Sequence, residues 1–218
     1  MRTRVKICCI ASIEEAKMAI DAGADALGLV AEMPSGPGPI DDATIATIAR
    51  QVPPPIATFL LTCRVNAEKI IEHHKLTNTN TIQLVDHVPV DQLKILRAAL
   101  PSVRLVQVIH VADQDSLQEA RLAAPHVHAL LLDSGRPKLA IKELGGTGRV
   151  HDWAISKLIV EQSPVPVFLA GGLNATNVTQ AVQTVRPFGV DICSGVRTDG
   201  NLDARKLDAF MEAMSNSG

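Results

Sequence analysis

Aromatic side chains are nearly missing from this chain. They make up 2% of its 218 residues, and tyrosine is not among them. That removes the stacking surfaces on which single-stranded nucleic acid rests, and it leaves the core to Ala, Val, Ile and Leu. Excess charge is missing too: a formal net charge of -2 gives no electrostatic attraction toward nucleic acid or an anionic membrane. No apolar run reaches the ~18 residues of a membrane span, and the N-terminus lacks an apolar signal segment. Cys8, Cys9, Cys63 and Cys193 do not make a disulfide framework at this length, and they have no zinc-type spacing. The expectation is a soluble, cytoplasmic protein from a reducing compartment, with no metal and no cofactor.

What is present is a repeating order of strand and helix. Arg2 to Ile10 is too short and too β-branched for a helix, and Ser12-Ile13-Glu14-Glu15 has the capping-box spacing that opens one. A first strand therefore feeds a helix from Ser12 to about Ala22, with Gly23 as its C-cap. Further strands are expected at Asp25–Val30, Ile56–Thr62, Thr81–Val85, Val103–Ile109, Val127–Leu132, Pro166–Ala170 and Gly189–Cys193. Helices are expected from Asp41, Asn66, Val90, Asp115, His151, Asn174 and Asp203. Eight short-linked strand–helix units imply a parallel sheet, and eight that close on themselves make a (β/α)8 barrel, here one domain over residues 1–218. An open doubly wound sheet fits less well, because no Gly-x-Gly-x-x-Gly follows the first strand. The one long loop runs from Ser134 to Val150.

Active sites of such barrels lie at the C-terminal strand ends. Here those ends hold the thiol of Cys8, the imidazole of His110, the carboxylate of Asp133, and turns at Gly171-Gly172 and Ser194-Gly195. Glycine turns after strands seven and eight suit a phosphate, because bare backbone N–H groups can approach the anion. Strand alternation puts Cys8 on the same side as Lys6, whose ammonium would favour a thiolate. The same alternation turns Cys9 toward the helix layer. Lys6, pointing inward, is also placed for a Schiff base with a sugar phosphate, although it lies deeper than Cys8.

Several stretches resemble the phosphoribosylanthranilate isomerase family. They are Val5-Lys6-Ile7-Cys8, Ala22 to Gly28, Leu130 to Asp133, Gly145-Gly146-Thr147-Gly148 with Asp152-Trp153, Phe168 to Asn174, and Gly189-Val190-Asp191 with Ser194-Gly195-Val196. The resemblance implies an Amadori rearrangement of a phosphoribosyl amine, with Cys8 as general base and Asp133 as general acid. Lys6, Gly148, Gly171, Gly172, Asp191, Ser194 and Gly195 fall among the expected substrate-binding positions.

Three departures stand out. The family's arginine in the loop after strand two falls on Gly38, its histidine after strand four on Val85, and its glycine after the first cysteine on Cys9. The first two lie at the aglycone end. Arg64, then Arg136 or Arg149, are the candidates to replace the lost arginine. A related isomerase or lyase acting on another phosphosugar, and a non-catalytic phosphosugar binder, are the alternative readings. In each the partner is a small phosphorylated molecule.

Overall fold

The computed structural model describes residues 2–135 and 151–216. Its strands are β1 (Arg4–Ile7), β2 (Ala26–Val30), β3 (Ala57–Thr62), β4 (Thr81–Leu84), β5 (Arg104–His110), β6 (Ala129–Asp133), β7 (Val167–Leu169) and β8 (Gly189–Ile192). They close in sequence order into one parallel barrel, β8 pairing back onto β1. Helices α1 (Ile13–Asp21), α2 (Asp42–Gln51), α3 (Ala67–Thr77), α4 (Val90–Ala99), α5 (Asp115–Ala123), α6 (Trp153–Gln162), α7 (Val178–Val185) and α8 (Ala204–Ser215) follow the strands in turn. No helix among the described residues is long and apolar enough to cross a membrane.

Local chemistry sets the helix starts. Ser12, Asp41, Asn66, Asp152 and Asp203 each accept a backbone N–H of the first turn, which satisfies a donor the helix itself cannot. Asn174 departs from expectation. Its side chain accepts from Thr176 N at 2.9 Å and closes a separate turn, so α7 begins only at Val178. A two-stranded hairpin after β8, β9 (Arg197–Thr198) with β10 (Asn201–Leu202), is new. Strands of two residues are too short to show a hydrophobic period.

Two apolar layers result. Val5, Ile7, Leu27, Leu60 and Leu132 face the helices. Val30, Phe59, Leu61, Val106, Leu131 and Phe168 fill the barrel interior. At the floor, Phe168 meets Phe59 and Phe188 edge-on, with centroids 6.0 and 5.4 Å apart. Gly189 makes room for it, since a Cβ there would lie 2.7 and 2.8 Å from ring carbons of Phe168. Gly189→Ala is therefore expected to cost about 1–3 kcal/mol through overpacking. Urea unfolding measures it, and an unchanged midpoint would contradict this account of the floor.

Candidate active site

β1 carries the site. The backbone N–H of Cys8 donates to Ile192 O at 2.8 Å, so the β1–β8 ladder runs one residue past the regular strand and Cys8 keeps the inward side shared with Lys6. Lys6 is fully buried, and its Nζ donates to Asp191 Oδ1 at 2.7 Å. The two are direct register partners across the seam where the barrel closes. Burial works against the Lys6 charge, but the Asp191 carboxylate holds its pKa above the usual lysine value. Gly28, on the neighbouring strand, leaves space for both groups: a Cβ there would fall 2.7 Å from Cys8 Sγ and 2.9 Å from Lys6 Nζ.

Cys9 lies elsewhere than the alternation suggests. It takes a left-handed conformation, φ 63°, so it ends the pleat instead of continuing it. The next N–H, of Ile10, pairs with Gly28 O on β2. The turn brings the Cys9 side chain to the cavity and not to the helix layer, and its sulfur is bonded to Cys193, with Cα atoms 6.0 Å apart. The four cysteines are thus not all free; Cys8 and Cys63 are the free thiols. Gly38 packs directly on Cys9. A Cβ at Gly38 would come 2.7 Å from Cys9 Cβ, and its φ of +77° disfavours any side chain. The two departures from the family pattern at positions 9 and 38 are therefore one packing event.

Cys8, Asp133, Asp191, Gly171, Gly172 and Ser194 line a single cavity of about 690 Å3, open-mouth space included, at the C-terminal end of the strands. Asp133 ends β6 and is 8% exposed. Burial raises its pKa, against the Ser134 N–H that donates to Oδ1 at 2.7 Å. Burial likewise pushes the Cys8 thiol up to about 11, against the pull of Lys6. This corrects the expected partial thiolate. The Lys6 charge is largely committed to Asp191, so too little remains to offset desolvation.

Gly171 and Gly172 have φ of 84° and 65°, which turns the chain after β7. Asn177 Nδ2 donates to Gly172 O at 2.9 Å and fixes that turn against the start of α7. Gly195 lies so close to Leu173 O that no side chain would fit, which brings the turns after β7 and β8 together. A three-residue 3-10 turn, Ser194–Val196, follows β8.

The remaining candidates are placed differently. Arg64 does not line the cavity. Its guanidinium meets His73 Nδ1 on α3, and His73 Nε2 donates to Asp42 Oδ1 at 2.8 Å, so Arg64 belongs to a network on the helix side. His110 ends β5 in register with Asp133, and its Nε2 donates to Val85 O at 2.9 Å. Gly148, Arg136 and Arg149 lie outside the described residues. Sequence reasoning missed Arg197, whose buried guanidinium lies against the Cys8 and Cys9 carbonyls. Nothing in the order of residues joins positions this far apart.

Two measurements follow. Thiol titration of the unreduced, denatured chain is expected to find two thiols; four would refute the Cys9–Cys193 bond. In a Cys63→Ser variant, iodoacetamide alkylation of Cys8 is expected to rise roughly tenfold per pH unit from pH 7 to 10, because the thiolate is the nucleophile and the thiol titrates at about 11. A plateau already reached by pH 8 would contradict the burial argument.

Known proteins are similar to this chain in architecture and in sequence. The family model described as N-(5'phosphoribosyl)anthranilate (PRA) isomerase matches residues 5–213. The N-(5'-phosphoribosyl)anthranilate isomerase 2 of Methanosarcina mazei is 35% identical over 215 residues, covering 98% of this chain and 94% of that protein. The crystal structure of phosphoribosyl anthranilate isomerase from Thermotoga maritima is similar with a TM-score of 0.84 at 26% identity, covering 98% of this chain and 99% of that one. A phosphoribosyl anthranilate isomerase in complex with reduced 1-(o-carboxyphenylamino)-1-deoxyribulose 5-phosphate has a TM-score of 0.81 at 25% identity, with the same coverage.

Proposed function

This chain belongs to the N-(5'-phosphoribosyl)anthranilate isomerase family, and from that premise we propose that it rearranges N-(5'-phosphoribosyl)anthranilate, with Asp133 as general acid and Cys8 as general base. The observation that carries the assignment of roles is that both groups line one cavity with the glycine turns after β7 and β8. A phosphate docked on Gly171, Gly172, Ser194 and Gly195 anchors the sugar at one end.

The Asp133 carboxyl gives its proton to the ribose ring oxygen. The C1′–O bond breaks, and the nitrogen lone pair forms a C1′=N iminium. Cys8 then takes the proton from C2′, and that electron pair forms the C1′=C2′ bond of an enolamine and neutralises the nitrogen. Loss of the 2′-hydroxyl proton and protonation at C1′ give the 1-amino-1-deoxyketose. The raised pKa of Asp133 suits a group that must hold a proton until the ring opens. A thiol at about 11 yields a scarce thiolate, but a strong base for a carbon acid.

Lys6 serves this reaction as the cation beneath Cys8. It does not serve a lyase, because Schiff-base formation needs a free amine and Lys6 is buried, protonated and paired. The aglycone rests among Val30, Met33, Pro37, Leu61 and Val85. Among the described residues lining the cavity none is a cation, and Arg64 is engaged with His73. Arg136 and Arg149 remain the candidates for the anthranilate carboxylate, where a bidentate contact is the natural match.

Cys8→Ala and Asp133→Asn are each expected to lower kcat by about 10²–10⁴, the usual reach of a positioned acid or base, while a reduced product analogue still binds. Complementation of a tryptophan auxotroph lacking this isomerase tests the substrate directly. Failure of the unaltered chain to complement would overturn the anthranilate assignment, and full turnover by either variant would overturn its role.

A further inference from the structure

We infer that Arg197 is a positioning residue for the base, holding the Cys8–Cys9 peptide so that the thiol faces the cavity. This rests on Cys8 being the base.

Beyond Ile7 the regular strand ends, and the backbone N–H groups of Cys8 and Ile10 still pair with Ile192 O and Gly28 O. The left-handed Cys9 turns two successive carbonyls, those of Cys8 and Cys9, toward the same point. Arg197 occupies that point. Its Nη2 donates to Cys9 O and, at 3.5 Å, lies against Cys8 O. The guanidinium is 8% exposed as a residue and is fixed from behind. Nη1 and Nη2 donate to Glu15 Oε1 and Oε2 at 3.0 and 2.8 Å, and Nη1 donates to Gly200 O at 2.7 Å.

The clamp is itself held. Glu15 accepts the N–H groups of Leu202 and Ala11, at 2.8 and 2.9 Å, so one carboxylate ties α1, the β9–β10 hairpin and the chain just after Cys9 together. Lys206 on α8 donates to Arg197 O at 2.7 Å. The hairpin thus aims a guanidinium at the backbone of the base.

Glu15 neutralises Arg197, so the effect on Cys8 is one of orientation and not of charge. The planar fork matters: several donors at fixed angles reach three carbonyls and a carboxylate at once, which an ammonium cannot do. Without it two buried carbonyls lose their donor, and the peptide is free to rotate.

The test is steady-state kinetics of Arg197→Ala and Arg197→Lys beside Cys8→Ala, with folding followed by circular dichroism. Arg197→Ala is expected to lower kcat roughly 10–100-fold, the scale of a small misplacement of a reacting group, with KM within about threefold. Millimolar guanidinium is expected to restore part of kcat. Arg197→Lys, which keeps the charge and loses the fork, is expected to have a kcat between those of the unaltered chain and Arg197→Ala, and carries the test if the alanine variant does not fold. A folded Arg197→Ala or Arg197→Lys with unaltered kcat, or a loss confined to KM, would overturn the inference. If Cys8→Ala retains turnover, it is the assignment of the base that fails.

Discussion

The buried pair of Lys6 and Asp191 is the interaction on which the rest of this site depends. It joins β1 to β8 at the seam where the barrel closes, with 2.7 Å between Nζ and Oδ1. A charge so deep is tolerated only with a partner in hydrogen-bond contact. The pair therefore fixes the register of the closing strands and the floor beneath Cys8 together. It also bears on the thiol: burial pushes Cys8 up to about 11, and the ammonium that pulls the other way is already matched by a carboxylate.

Above that floor the chain does something a strand does not. Cys9 turns left-handed, and three neighbours respond to the turn. Cys193 bonds its sulfur, Gly38 yields the space beside its Cβ, and Arg197 takes its carbonyl. A glycine enters the left-handed region at no steric cost, whereas cysteine does so against a penalty. The contacts around Cys9 supply what glycine's conformational freedom would supply at this position. The end of β1 is held from β8, from the loop after β2, and from the hairpin after β8.

The end of the cavity proposed for the aglycone shows the same linkage. Gly38 leaves no room for the arginine that the resemblance implies there, and Val85 stands where it implies an imidazole. His110, one strand along, donates to the carbonyl of Val85. The apolar wall around Met33, Leu61 and Val85 closes one side of the cavity, opposite the turns at Gly171-Gly172 and Ser194 that line it too.

Eight alternating units, caps such as Ser12 and Asp41, and the inward facing of Lys6 and Cys8 were legible in the sequence, because periodicity and helix caps are local: each is decided within a few residues of itself. The candidate acid and the paired glycine turns were legible for a related reason, since strand ends in a closed parallel barrel share one rim. Tertiary structure alone decided where Cys9 points, that Cys193 meets it, that Arg64 turns to His73, and that Arg197 reaches the peptide after Cys8. A backbone reversal at one residue breaks the alternation from which side-chain direction is read. The partners it then finds, 184 residues away for the sulfur, become neighbours only once the first strand and the last close the barrel.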